Sequence, residues 1–73
     1  MPVVPLLSGR DAVKVFGAFG WQAIRQNGSY IVLVKEGYTV TLSVPDHKEV
    51  ARGTLRSLIW DAELTVGEFV SAI

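Results

Sequence analysis

The fold is decided by residues 21–44, which read WQAIRQNGSYIVLVKEGYTVTLSV. The pair Asn27-Gly28 within this stretch is typical of a type I′ hairpin turn, in which both central residues adopt a positive φ. Strands are therefore predicted on either side of the pair, over residues 21–26 and 29–35. The centre of the fold is expected to be a two-stranded antiparallel hairpin.

A third strand is predicted directly after this hairpin. Glu36-Gly37 indicates another tight turn, and apolar and polar residues alternate over 38–44, which favours a strand with one buried face. Pro45 is expected to end the strand, because proline cannot donate a ladder hydrogen bond. Strict alternation along the first strand predicts one face formed by Trp21, Ala23 and Arg25, with Gln22, Ile24 and Gln26 on the other.

Helices are predicted on both sides of the three strands. Ser8 and Asp11 have the spacing of a short capping box, which predicts a helix over 9–19 that Gly20 ends in a left-handed cap. Apolar residues at helical spacing predict a second helix over 53–62, and Thr65 with Glu68 predicts a short terminal helix. Strands grouped together between helices indicate an α+β fold, with the helices covering one face of the sheet.

The composition limits both the size of the domain and its chemistry. A chain of 73 residues has room for one domain, predicted over residues 1–73. It contains no cysteine, which excludes disulfides and thiol nucleophiles, and its one histidine, His47, counts against a histidine-ligated metal centre. No metal or cofactor is therefore expected. The longest apolar run, Ile31–Val34, is too short to span a membrane, and the N-terminus does not resemble a signal peptide, so the expected location is the cytoplasm.

The charges are balanced overall but unevenly distributed. Seven basic and seven acidic residues give a formal net charge of zero. Residues 1–35 nevertheless carry four basic residues and one acidic residue, whereas residues 36–73 carry three basic and six acidic residues. A protein that binds nucleic acid usually has a net basic domain, so any phosphate contact here must come from a local patch.

Several separate stretches together resemble one protein family. They are Trp21, Arg25-Gln26-Asn27-Gly28-Ser29, Val44-Pro45, His47, Gly53-Thr54-Leu55-Arg56 and Leu64-Thr65-Val66-Gly67-Glu68-Phe69. In this order and spacing, from Ser8 to Ile73, they resemble the HicA family of small toxins from bacterial and archaeal toxin–antitoxin pairs. The resemblance implies a fold similar to the double-stranded RNA-binding domain and ribosome-independent endoribonuclease cleavage of mRNA. It also implies a partner antitoxin, HicB, that covers the active site.

The resemblance assigns the catalytic position of the family to Tyr30. Members of the family carry a histidine directly after the Gly-Ser of the first hairpin, and in this chain Tyr30 follows Gly28-Ser29. Metal-free RNA cleavage needs one group to remove the proton of the 2′-hydroxyl and another to protonate the leaving oxygen. Free histidine, with a pKa of about 6.5, suits both steps, whereas free tyrosine, with a pKa of about 10, rarely accepts a proton near pH 7. The chain is therefore expected to cleave RNA weakly or not at all.

Other positions match the family pattern or depart from it. His47 and Arg56 match. Asn27 stands where many relatives have a lysine and Trp60 where a basic residue is common, and both changes remove charge that would hold phosphate. Glu63 stands where glycine often caps the helix, so that helix end is expected to be less stable.

Six further residues are candidates for contact with RNA or with a partner. RNA binding is assigned to Arg25, Ser29, Lys35 and Arg56, and partner binding to Trp60 and His47. An ordinary surface position would also explain Arg25, Lys35 and His47, and Gly53 to Arg56 are foremost the start of a helix. Trp60 is expected to face outward, because its neighbours Leu58 and Ile59 face the core, and an exposed indole favours an interaction surface.

Three functions remain open from the sequence. The first is a HicA-like toxin with impaired endoribonuclease activity, bound by a HicB-like antitoxin. The second is a non-catalytic RNA-binding module, whose affinity would fall steeply with salt, although the zero net charge counts against it. The third is a protein-interaction domain that is kept for antitoxin binding.

Overall fold

A computed structural model describes residues 3–73 of the chain and shows three helices and three strands in this part of it. In chain order the elements are α1 (Gly9–Gly17), β1 (Gln22–Asn27), β2 (Tyr30–Val34), β3 (Leu42–Pro45), α2 (Arg52–Asp61) and α3 (Val66–Ser71). The α+β class and the order of elements predicted from the sequence are confirmed. No helix among the described residues is long and apolar enough to cross a membrane.

The first helix begins and ends where its sequence signals lie. The Ser8 side chain accepts a hydrogen bond from the Asp11 N–H at 3.1 Å, which satisfies one of the free donors of the first turn. At the other end, Gly20 has a φ of +96°, and the Trp21 N–H donates to the Phe16 carbonyl at 3.2 Å. This is the Schellman arrangement that glycine favours, so the predicted cap is confirmed, although the α-helix itself ends at Gly17.

The second helix ends in the same arrangement without a glycine. The Glu63 N–H donates to the Trp60 carbonyl at 3.0 Å, and the Leu64 N–H donates to the Ile59 carbonyl at 3.1 Å. Glu63 therefore occupies the left-handed position with a φ of +60°, the one positive φ of a residue other than glycine among the described residues. A side chain in this region is crowded by its own backbone, and the lower stability of this helix end stays a prediction.

Replacing Glu63 by glycine is expected to stabilise the fold. Removing the side chain relieves the left-handed strain, so the free energy of unfolding should rise by about 1 kcal/mol. Thermal unfolding followed by circular dichroism should show a melting temperature higher by about 4–8 °C. The matched control is Glu49→Gly, an exposed loop glutamate without a positive φ, which should lower stability. Equal effects of the two substitutions would show that the conformation of Glu63 is not strained.

The third helix is held by a complete capping box. The Glu68 N–H donates to Thr65 Oγ1 at 3.0 Å, and the Thr65 N–H donates to Glu68 Oε1 at 2.9 Å. This confirms the capping box predicted from the spacing of the two residues. The short helix places Phe69 in the core, where its ring lies 5.0 Å from the ring of Phe16 in α1.

The sheet has the order β1-β2-β3, with both pairings antiparallel. The third strand begins at Leu42, which pairs with Leu33, so the predicted start at residue 38 is wrong. Tyr38 instead closes the preceding turn, where its N–H donates to the Lys35 carbonyl at 3.1 Å, and its ring lies 5.3 Å from that of Trp21. Pro45 is the last residue of the strand rather than the residue after it. It can take this place because β3 is an edge strand.

All three helices lie on the same face of the sheet as the buried core. The core includes Phe16 from α1, Leu33 and Leu42 from the sheet, Leu55 from α2 and Phe69 from α3, each with no exposed surface. Because strand residues alternate between faces, Tyr30, Val32 and Val34 of β2 lie on the opposite face. No helix among the described elements covers that face, which we call the open face.

Candidate functional site

The turn of the first hairpin differs by one residue from the prediction. Asn27 pairs with Tyr30, so the two loop residues are Gly28 and Ser29. Of Asn27 and Gly28, only Gly28 has a positive φ, at +62°. A positive φ at the first loop position alone is typical of a type II′ turn, so the predicted type I′ turn is wrong. The shift makes Tyr30 the first residue of β2, directly across from Asn27.

Tyr30 lies at the hairpin end of the open face. It pairs with Asn27 on one side and with Pro45 on the other, and 49% of its surface is exposed. Its phenol is not part of the buried core. The side chain is therefore accessible to a ligand that approaches the sheet from the side opposite the helices.

Arg25 shares the open face with Tyr30. Arg25 pairs with Val32, and Tyr30 with Asn27, so Arg25 and Tyr30 are diagonal neighbours about 7–8 Å apart, with their Cβ atoms somewhat closer. A β-bulge at Ile24 interrupts the alternation, and Ala23 pairs with the core residue Leu33. Ala23 and Arg25 consequently lie on different faces, so their predicted common face is wrong.

A polar cluster at the hairpin end holds the loop that follows β3. Asp46 Oδ1 accepts a hydrogen bond from Arg10 Nε at 3.3 Å, and its Oδ2 accepts one from Gln26 Nε2 at 3.1 Å. The Asp46 N–H donates to the Ser29 carbonyl at 2.6 Å. Asp46 thus joins α1, β1 and the turn before Tyr30. Sequence reasoning missed this residue, because its partners are 17 to 36 positions away in the chain.

The loop carrying His47 is attached to the first helix. The His47 carbonyl accepts a hydrogen bond from the Gly9 N–H at 2.9 Å, while the His47 side chain is exposed. None of the hydrogen bonds of the loop among the described residues involves Tyr30. The described hydrogen bonds therefore do not link His47 to Tyr30.

The four predicted RNA-binding residues do not form one patch. Ser29 is next to Tyr30 in the turn, and Arg25 is on the same face. Lys35 follows the far end of β2, about 16 Å along the strand from Tyr30, and its Nζ lies 4.8 Å from the centre of the Tyr38 ring. Arg56 is on α2, in the helical layer on the other side of the sheet. Only Arg25 and Ser29 are therefore near Tyr30.

Trp60 and Arg56 form a separate surface on α2. Trp60 is 80% exposed, as its neighbours in the sequence predicted, and Arg56 precedes it by one helical turn. The two side chains line a shallow cavity of about 470 Å³ together with Ile59, Leu64 and Val66. This indole surface and the open face lie on opposite sides of the molecule.

The fold and the hairpin define a class of protein. Helices on one face of a three-stranded antiparallel sheet, with an exposed tyrosine after the first turn, describe a small α+β domain of the double-stranded RNA-binding type. Residues 9–64 match the family model described as HicA toxin of bacterial toxin-antitoxin, so the chain belongs to the HicA toxin family. The comparison with curated proteins gives no match. The chain is accordingly the toxin of a toxin–antitoxin system, which implies a cognate antitoxin as its partner.

Proposed function

We propose that this toxin binds RNA on the open face and cleaves it weakly or not at all, because Tyr30 occupies the position of the family's catalytic histidine. The observation that carries the proposal is the placement of Tyr30, which is half exposed directly after the Gly28-Ser29 turn and diagonal to Arg25. A buried phenol would have argued against it. Cleavage of RNA by a Tyr30→His variant tests the proposal.

The chemistry explains why tyrosine impairs the reaction. In metal-free cleavage a base removes the proton of the 2′-hydroxyl, the 2′-oxygen attacks the adjacent phosphorus, and the bond to the 5′-oxygen breaks. That leaving oxygen then takes a proton from an acid. A tyrosine phenol is protonated near pH 7, so it can donate a hydrogen bond to a phosphate or stack on a base but does not supply the base for the first step.

Arg25 is the cation best positioned to assist on the open face. Its guanidinium can donate two parallel hydrogen bonds to a phosphate, which Lys35 and Arg56 cannot do at this site from their positions elsewhere. Ser29 lies in the turn before Tyr30, where its hydroxyl can contact the sugar or the phosphate. In this proposal Arg25 and Ser29 hold the backbone of the RNA. Tyr30 contacts the scissile phosphate but does not remove the proton of the adjacent 2′-hydroxyl.

Partner binding through the indole surface is a second function, favoured by the 80% exposure of Trp60. Trp60→Ala is expected to weaken binding of the cognate antitoxin by more than about 1 kcal/mol, because exposed tryptophans that become buried at an interface often dominate its affinity. Isothermal titration calorimetry with the antitoxin measures the change. Leu6→Ala is the control, since Leu6 is also exposed, at 52%, and does not line the cavity around Trp60. Unchanged affinity after Trp60→Ala would remove this residue from the interface.

A further inference from the structure

The outer edge of β1 is open to another strand. β1 is the first strand in the order β1-β2-β3, so it pairs with β2 on one side only, and all six of its residues are exposed. The other edge strand, β3, has three of its four residues buried. An exposed edge presents unpaired N–H and C=O groups, which an extended peptide can pair with as an added strand.

A groove of about 530 Å³ runs between this edge and α1. Its lining combines two cationic side chains of α1, Arg10 and Lys14, with apolar side chains that include Val13, Ile24 and Ile31. Arg10 already pairs with Asp46, whereas Lys14 makes no hydrogen bond or ion pair with the other described residues. The groove can therefore accept negative charge and apolar side chains at the same time.

We propose that an extended acidic segment of the cognate antitoxin lies in this groove and pairs with β1 as a fourth strand. The free edge supplies main-chain hydrogen bonds, the cations attract carboxylates, and Ile24 with its apolar neighbours contacts alternate side chains of the segment. The inference rests on membership of the toxin family and not on RNA cleavage, since no step of it involves Tyr30.

Two other occupants fit these observations less well. A second copy of the chain pairing edge to edge would bring two sets of the same cations together, which costs free energy. RNA phosphates would meet the cations and could accept from the edge N–H groups, but they carry no donor for the edge carbonyls and cannot bury the apolar lining. The bulge at Ile24 further restricts pairing to a strand that follows its bend, which disfavours unspecific association.

Amide hydrogen exchange with a defined peptide tests the proposal. The probe is a capped peptide of alternating glutamate and valine, titrated into the full chain up to millimolar concentration. Binding should slow exchange of β1 amides within 22–27, because strand pairing protects N–H groups that a purely electrostatic contact leaves free. The same peptide with lysine in place of glutamate should not bind.

Charge reversal in the groove gives the matched variants. Lys14→Glu should weaken binding of the acidic peptide about tenfold, whereas Lys48→Glu, the same change on an exposed loop lysine outside the groove, should leave it unchanged. Ile24→Ser should also weaken binding of the acidic peptide. This variant tests the apolar contact and stays informative if the Lys14→Glu protein does not fold. Peptide affinity should be the same in Tyr30→His, so that this proposal and the proposed function fail separately.

Four results would overturn the proposal. They are no binding of the acidic peptide, binding without slower exchange in β1, equal weakening by Lys14→Glu and Lys48→Glu, and slower exchange of the same amides with an oligouridine in place of the peptide. The last result would assign the groove to RNA. A fifth result would also overturn it, since formation of a dimer that protects β1 without any peptide would assign the groove to a second copy.

Discussion

Expression of a Tyr30→His variant is expected to arrest bacterial growth and degrade mRNA, whereas the unchanged chain is expected to do neither or do so weakly. The histidine restores a group that accepts a proton near pH 7 on the open face beside Arg25. A positioned general base typically contributes about 10²–10⁴ in rate. Growth curves and the integrity of total RNA after induction measure the effect.

The control for this variant separates proton transfer from other consequences of the substitution. Tyr30→Gln removes the phenol and keeps a polar side chain at the same strand position, but glutamine does not accept a proton at neutral pH. It should leave growth unaffected. A Tyr30→His protein that is folded, monodisperse and harmless both to cells and to RNA would show that Tyr30 is not at the catalytic position.

Replacing Gly9 by alanine is expected to cause a large loss of stability. A Cβ at Gly9 would lie 1.9 Å from the carbonyl oxygen of Pro45, which is a backbone atom and cannot move without displacing the end of β3. Overpacking of this kind costs about 1–3 kcal/mol in the free energy of unfolding. Chemical denaturation should show the lower free energy of unfolding. The hydrogen bond from the Gly9 N–H to the His47 carbonyl should also lengthen, which would loosen the loop after β3.

Gly17→Ala provides the comparison within the same helix. A Cβ at Gly17 meets nothing within 4 Å, so the substitution adds helix propensity without a clash. It should raise the free energy of unfolding by about 0.5–1 kcal/mol. If both substitutions changed stability by the same amount, the close contact between α1 and the end of β3 would not exist.

Local signals were sufficient to predict the helices. The Ser8 cap, the left-handed Gly20 and the capping box of Thr65 and Glu68 each act within a few residues of the chain, so their outcome depends little on the rest of the fold. Glu63 has the left-handed conformation two residues beyond α2, at the position where the family resemblance expects a capping glycine.

The details of the sheet were not predictable in this way. The Asn-Gly pair suits a type I′ turn, but the observed register places Gly28-Ser29 in the loop and a bulge at Ile24. Together these two features place Ala23 opposite Leu33, on the core face of the sheet. Tertiary packing thus decided the register over the local preference of the turn. The start of β3 was also missed, because the Tyr38 N–H donates to the Lys35 carbonyl within the turn rather than to β2.

The candidate site was predictable in part. The exposure of Trp60 agrees with expectation. The separation of Lys35 and Arg56 from Tyr30 could not be inferred, because spacing in the sequence does not give distance across a sheet or between its faces. Asp46, which ties the loop after β3 to the turn before Tyr30, emerged only from the folded arrangement.

The central claim is that Tyr30 stands where proton transfer takes place in the family. The measurement that tests it most directly is the single-turnover rate of cleavage of one labelled RNA by purified Tyr30→His and Tyr30→Gln proteins at pH 7. We predict that the histidine variant is faster by about 10²–10⁴. Equal rates for the two folded variants, at concentrations that saturate the RNA, would contradict the account.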